Sequence, residues 1–485
     1  MIKIPGLPAL GILLLLSAPV YSQSLKEAGK KVDSLFASYN GQTPGAAVAI
    51  VKDGKVVFKK GYGTADLEYD KPITTKTVFN IASVSKQFTA FAVYLLEGQG
   101  KLSFDDDIRK YIPELHDYGT PIKIRHLLAH TSGIRDQAAL LTLAGWRQDD
   151  VLTTEQVLKM LGRQKSLNYT PGTTFNYCNS GYTLLAEIVH RVSGKSFAAY
   201  YTEENIFNPL GMTNTLFEDN HELLVKNRAR SYERVNNQYY HKPINNSNPG
   251  PSNLLTTVED LVKWSLNFEN PVVGNRKLIQ AFNEPSYFDN GKKVVLRVLG
   301  EGDTIFHAKG QNLSVYKGVN MITHGGHIAG FRTFMGRFPG QRLAIIALSN
   351  DEHNERLGAR WQIADFYIKD QLQAEPESNR MPANANRPAT TPVNYTVSLQ
   401  DFEGEYYSDE LATTYTFSEK KDTLVMKHIR LEDLALKRTG ENKFTGSGAH
   451  TFLFEMEFLR NEAGAVTGFL VSNFGVKNLK LVKIK

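Results

Sequence analysis

A proline-rich stretch late in this chain divides it and sets what each side can become. Between Glu375 and Pro392 the composition turns to Asn, Ala and Thr around Pro376, Pro382, Pro388 and Pro392. Proline fixes φ and removes a backbone donor, so such a run extends neither helix nor sheet and reads as a semi-extended linker. We therefore expect a linker at 373–394 between a large unit at 23–372 and a small one at 395–485. In the small unit, short alternating runs are broken by turns: Glu405–Tyr407, Tyr415–Phe417, Thr423–Lys427, Phe452–Leu459, Gly468–Val471 and Leu479–Ile484. That spacing suits a small β-barrel or sandwich.

Residues 1–22 read as an export signal. Lys3 supplies the positive start, Leu7–Val20 the apolar run, and Val20 and Ser22 the small positions before cleavage. The run is shorter than the roughly 20 residues a spanning helix needs, which argues against an uncleaved anchor. No Cys follows it, so nothing supports a lipid anchor, and no later run is long and apolar enough to span a bilayer. Periplasmic or secreted placement is the expectation. The single cysteine, Cys178, forms no internal disulfide, so stability must come from the core. A net charge of +6 spread over 485 residues, with both signs interleaved, leaves no basic stripe for nucleic acid.

Within the large unit, Leu25, Ala28, Val32, Leu35 and Phe36 fall at helical spacing. Ala46–Val51 and Lys55–Lys60 form a hairpin pattern around Asp53-Gly54. Ile81–Leu96 is an apolar helix pattern ending near Gly98 and Gly100, and further helices are expected at Thr154–Leu161, Ser180–Val192 and Val258–Phe268. Leu313–Thr323, Phe331–Phe338 and Leu343–Leu348 read as strands, the last two around a Pro339-Gly340 turn. The early hairpin and the late strands suit one antiparallel sheet with a helical region inserted between them.

Ser83-Val84-Ser85-Lys86 opens the apolar helix. Residues three apart share a helix face, so the Ser83 hydroxyl and Lys86 amine can meet. Serine attacks only once a base takes its proton, and lysine is a base only when neutral. Lowering its pKa from about 10.4 to about 7 costs roughly 4–5 kcal/mol, which burial can impose. The motif alone is weak, because an ordinary helix start explains it as well. A twin stands at Ser418-Glu419-Lys420-Lys421, in a polar stretch expected to be a turn.

Its surroundings are more specific. Phe79–Ala90 resembles the nucleophile segment of the serine penicillin-recognising family, which holds class C β-lactamases, D-alanyl-D-alanine carboxypeptidases, D-aminopeptidases and related esterases. Ile124–Gly133 resembles the loop after the central helix, Tyr177-Cys178-Asn179 the Tyr-x-Asn element, and Leu254–Thr257 with Asp260 another shared segment. His324-Gly325-Gly326 stands where the third motif belongs. The resemblance covers about residues 30–350. It implies a β-lactamase/transpeptidase-like α/β domain, an antiparallel sheet flanked by helices plus a helical subdomain, with Ser83 in the cleft between. Phe402–Tyr407 resembles part of the lipocalin-like barrel that accompanies some relatives. The resemblance further implies that Ser83 attacks a carbonyl to form an acyl-enzyme, with Lys86 and Tyr177 sharing the proton work in either order. Asn179 would meet substrate or Lys86. The N–H groups of Ser83 and His327 would form the oxyanion hole, and Gly325 and Gly326 would let the strand approach substrate.

Many β-lactamases and carboxypeptidases of this family carry lysine where His324 stands. Histidine is mostly neutral above about pH 6.5, so a fixed cation for a substrate carboxylate is missing. The expectation shifts towards an ester or a D-amino-acid-containing amide, with a β-lactam, a D-alanyl-D-alanine peptide or a non-catalytic sensor role as alternatives. No cofactor is expected. His324 and His327 lie three apart on an extended stretch and point to opposite faces, which disfavours a metal there. Cys178 fits a small buried hydrophobe better than a nucleophile. No Gly-x-Ser-x-Gly elbow occurs. The expected partner is a small-molecule or peptide substrate, with loops around Arg135–Trp146 and Arg228–Pro251 setting specificity. No sequence feature specifies an oligomeric state.

Overall fold

A computed structural model describes residues 10–201, 205–298, 304–353, 360–373, 395–448 and 451–485. Of the expected leader, residues 1–9 lie outside these, as does nearly all of the expected linker. The large unit centres on eight antiparallel strands: β1 (Ala46–Lys52), β2 (Lys55–Tyr62), β3 (Val295–Val298), β4 (Thr304–Ala308), β5 (Gln311–Tyr316), β6 (Val319–Ile328), β7 (Phe331–Phe338) and β8 (Leu343–Ser349). Their spatial order is β3-β4-β5-β6-β7-β8-β1-β2, so the early hairpin joins the edge of the late strands. Asp53 and Gly54 both adopt positive φ, 52° and 75°, as a tight hairpin turn needs.

Side chains alternate across a strand, and β1 buries both faces. Ala46, Val48 and Ile50 face a layer made by α1 (Leu10–Phe36) and the C-terminal helix of the large unit, Arg360–Ile368, through Val32, Phe36, Ile363 and Ala364. Ala47, Ala49 and Val51 face the opposite layer with Leu261 and Trp264. The central helix, α2 (Lys86–Gly98), lies in that second layer and stacks Phe88 on Trp264 at 4.2 Å. Expected helices return at Thr154–Gly162, Asn179–Ser193 and Val258–Asn267. Among the described residues, no helix is long and apolar enough to cross a membrane.

Two expectations change. Leu313–Thr323 is a hairpin, not one strand. The chain reverses at Lys317-Gly318, both at positive φ, so β5 and β6 pair. The Arg135–Trp146 segment is not loop alone: Gln137–Leu143 is helical, with the Asp136 carboxylate accepting from the N–H groups of Ala138 and Ala139 as its N-cap.

The C-terminal segment forms a nine-stranded antiparallel sheet spanning 404–483. Its two edge strands, Leu431–Ala435 and Lys437–Gly440, are joined only by Leu436, so the sheet is a nearly closed barrel. Tyr406, Phe417, Phe458 and Phe469 fill its interior with edge-on ring contacts. It docks on the helical layer. The Tyr415 hydroxyl donates to Leu143 O at 2.8 Å, and buried Arg135 pairs with Glu410 at 2.7 Å.

Candidate active site

Ser83 does not open an α-helix. It sits in a 3-10 turn, Ala82–Ser85, that feeds α2, with Ala82 at φ 48°. A non-glycine residue there is strained by about 1–3 kcal/mol and persists only where its surroundings fix it. Four bonds do so. Asn80 Oδ1 accepts from Ala82 N at 2.9 Å, and Thr333 Oγ1 donates to Ile81 O at 2.8 Å. The Ser85 hydroxyl donates to Ala82 O at 2.6 Å, and Ile81 N donates to Leu254 O at 2.9 Å. The result is an elbow that presents Ser83 to the cleft.

Two groups meet at the Ser83 oxygen. The Tyr177 hydroxyl donates to Oγ at 2.9 Å, and Lys86 Nζ lies 3.3 Å away. Lys86 also donates to Asn179 Oδ1 at 2.8 Å and to Pro251 O at 2.7 Å. A neutral amine has two N–H bonds and one lone pair. The two short contacts take the N–H bonds, and the lone pair is left facing the Ser83 hydroxyl. Lys86 is fully buried, and burial pushes its ammonium down to about 7 against the opposing pull of Asp136. Burial raises the Tyr177 phenol well above its ordinary value, so it enters as a hydrogen-bond donor.

The third motif runs along β6. His324 is buried, its Nδ1 donates to Gly325 O at 2.6 Å, and burial beside Lys86 lowers it to about 4. It is therefore neutral at pH 7. His327 is exposed on the same strand three residues on, and both residues line the cleft. Gly326 presses on the nucleophile elbow. A Cβ there would lie 2.2 Å from Thr333 Oγ1, 2.4 Å from Ile81 O and 2.9 Å from Ala82 Cβ. Gly326→Ala should therefore cost about 1–3 kcal/mol as an overpacked contact, read as a lower urea midpoint. Slower labelling of Ser83 by a fluorophosphonate should accompany it, because the elbow must shift.

Several site groups were not singled out from sequence. His130 stacks at 4.5 Å on the Tyr177 ring, and His307 packs on His130 at 4.9 Å. Burial keeps both neutral, His307 at about 3, so neither adds a charge beside Lys86. Asp136 accepts from Asn179 N at 2.6 Å and from its Nδ2 at 3.1 Å. An Asp before an apolar helical run is a readable cap signal, but nothing in its spacing ties it to Asn179. Cys178 is buried, its Sγ contacts Ile134 O at 3.3 Å, and burial pushes the thiol up to about 12, so it carries no thiolate.

The cleft over Ser83 holds about 1050 Å³, walled by Trp146, Ile244, His307, His327 and, from the barrel, Phe474. Both expected specificity segments contribute, through Gln137–Trp146 and Lys242–Pro251, and the wall continues past the first through Arg147, Gln148 and Asp150.

A model of the family described as Beta-lactamase matches residues 32–368. A D-aminopeptidase of Brucella anthropi is 28% identical over 311 residues, 64% of this chain; the match spans 56% of that protein's length. Among solved structures, an octameric penicillin-binding protein homologue from Pyrococcus abyssi aligns with a TM-score of 0.59 at 21% identity, over 94% of this chain and 99% of that one. The D-amino acid amidase of Ochrobactrum anthropi aligns at 0.57 and 20% identity, over 72% of this chain and 97% of its own. At these identities the structural likenesses speak to the fold.

Proposed function

The chain belongs to the β-lactamase family, and from that premise we propose that it is an exported serine hydrolase forming an acyl-enzyme on Ser83. The observation that carries the reading is the meeting of the Tyr177 hydroxyl and the Lys86 amine at the Ser83 oxygen, at 2.9 and 3.3 Å. Neutral Lys86 takes the Ser83 proton as Oγ bonds to the substrate carbonyl carbon. The resulting oxyanion is held by the N–H groups of Ser83 and His327. Collapse expels the alcohol or amine, which receives the proton through Tyr177 from Lys86. Water then attacks the acyl-enzyme, its proton returns by the same groups, and Ser83 is released with the acid.

The substrate we propose is an ester or an amide containing a D-amino acid. Neutral His324 supports this, since it offers no fixed cation to a β-lactam or C-terminal carboxylate. The resemblance to a D-aminopeptidase points the same way. We propose further that residues 1–22 are a leader that sends the mature protein to the periplasm or outside the cell, and that a catalytic domain at 23–372 is joined by a linker to the barrel.

A panel of p-nitrophenyl esters, D-alanine p-nitroanilide, a D-alanyl-D-alanine peptide and nitrocefin tests this on the mature protein. Catalytic release from an ester or the D-anilide, exceeding that from nitrocefin, is the expected result. A stable adduct without turnover across the panel would make the protein a sensor. Rapid nitrocefin turnover lost in Tyr177→Phe would make it a β-lactamase.

A further inference from the structure

We propose that Asp136 is a positioning residue for the Lys86–Asn179 pair, and that the C-terminal barrel locks it in place. The inference rests on the reading of Ser83 and Lys86 given above. Asp136 is 1% exposed and accepts four N–H bonds. Its Oδ1 takes Ala138 N at 2.9 Å and Ala139 N at 3.2 Å, and its Oδ2 takes Asn179 N at 2.6 Å and Nδ2 at 3.1 Å. All four donors are N–H groups, the set that suits a carboxylate anion.

The fork decides which way the Asn179 amide points. With its NH₂ held on Asp136, its Oδ1 must face Lys86 Nζ, where it lies at 2.8 Å. A flipped amide would set NH₂ against the amine, and Lys86 would lose one of the acceptors that aim its lone pair at Ser83.

Asp136 also supplies the local negative charge: burial raises its carboxyl above the ordinary value, and the N–H groups of Asn179, Ala139 and Ala138 together with Lys86 oppose that rise. The other titratable groups around Lys86 are the Tyr177 and Tyr182 rings, His130, His324 and Cys178. Burial keeps both phenols and the thiol protonated and both imidazoles unprotonated, so none of them is charged at pH 7. The carboxylate raises the Lys86 pKa against burial, holding it near neutrality.

The barrel closes the arrangement from outside. Asp136 N donates to Gly475 O at 2.9 Å, and Asn168 Nδ2 donates to the same carbonyl at 3.0 Å. Asn473 Oδ1 stiffens that loop by accepting from Gly475 N and Val476 N at 3.0 and 2.8 Å. A Cβ on Gly475 would lie 2.7 Å from Asp136 Cβ and 3.0 Å from Ala139 Cβ, so the barrel backbone abuts the carboxylate residue directly.

The test uses full-length protein carrying Asp136→Asn or Gly475→Ala. Two readouts are followed against pH: the rate of Ser83 labelling by a fluorophosphonate, and the Lys86 Cε resonance in ¹³C-lysine protein, assigned by its loss in Lys86→Arg. Asp136→Asn should lower the plateau labelling rate by about 10²-fold, the scale of a misplaced catalytic group. It should also move the Lys86 titration to lower pH, because the charge that favoured the ammonium is gone. Gly475→Ala keeps that charge, so its plateau should fall while the midpoint stays within a few tenths of wild type. A folded Asp136→Asn protein whose Lys86 midpoint matches wild type overturns the proposal. If that variant does not fold, a folded Gly475→Ala protein labelling at the wild-type rate overturns it. Wild-type protein that takes no label refutes the hydrolase reading instead, and the resonance still decides the role of Asp136.

Discussion

Replacing Ser83 by alanine should cut turnover of the best panel substrate by about 10⁵-fold or more and remove fluorophosphonate labelling entirely. The size of the effect follows from what is lost. Without Oγ there is no atom to bond to the carbonyl, and Lys86 and Tyr177 have no proton to move. Any residue of activity would come from the cleft holding substrate beside water. The fold should not notice: among the described residues the Ser83 hydroxyl hydrogen-bonds to Lys86 and Tyr177 alone, and Ser83 is partly exposed, so the unfolding midpoint should move by no more than about 0.5 kcal/mol's worth. The paired control is Ser418→Ala. Ser418 of that twin motif lies in a strand, Thr413–Lys420, whereas Lys421 sits just beyond it in the expected turn, at positive φ with Asp422, so the two share no helix face. Ser418→Ala should label and turn over like wild type. Labelling that survives in Ser83→Ala would sink the nucleophile assignment.

That contrast shows what was legible in the chain. Ser83-x-x-Lys86 and Ser418-x-x-Lys421 are the same pattern, and only the company of Tyr177, Asn179 and His324 separates them. The apolar periods of Thr154–Gly162, Asn179–Ser193 and Val258–Asn267 marked their helices to within a residue or two, because each buries one face on the core. The 3-10 elbow was hidden. An alanine at φ 48° has no local signal, and two of the four groups that fix it, Leu254 and Thr333, come from elsewhere in the chain. The β5–β6 reversal was hidden too, since Lys317-Gly318 interrupts a run whose apolar alternation continues on both sides. Barrel strands such as Leu431–Ala435 and Lys437–Gly440 are half-exposed, and their polar residues run together (Glu432-Asp433 and Lys437-Arg438-Thr439) instead of alternating with apolar ones, so they carry little hydrophobic contrast. Asp136 illustrates the general limit: its cap role is local and readable, whereas its hold on Asn179 exists only once the fold brings them together.

Replacing Lys86 separates chemistry from stability, and the two should move in opposite directions. Lys86→Arg should lower kcat/KM by about 10³-fold or more, because a guanidinium stays protonated and cannot accept the Ser83 proton. In wild type, kcat/KM should rise with pH and reach half its plateau near 7, where burial has placed the amine. Lys86→Met should be equally inactive yet more stable near neutral pH. The sign follows from proton binding. The unfolded lysine titrates near 10.4 and the folded one at about 7, so between these values the unfolded chain holds the extra proton. Folding then costs the loss of that proton, and wild-type stability climbs as pH rises from 7 towards 10.4. The penalty at pH 7 is on the order of 4 kcal/mol, reduced in the comparison by the hydrogen bonds that methionine forfeits to Asn179 and Pro251. Urea midpoints at pH 7 and pH 10 read this directly: the Lys86→Met advantage should be largest at 7 and shrink at 10. An advantage independent of pH would mean that Lys86 enters the folded protein with its proton, and the base would then have to be Tyr177.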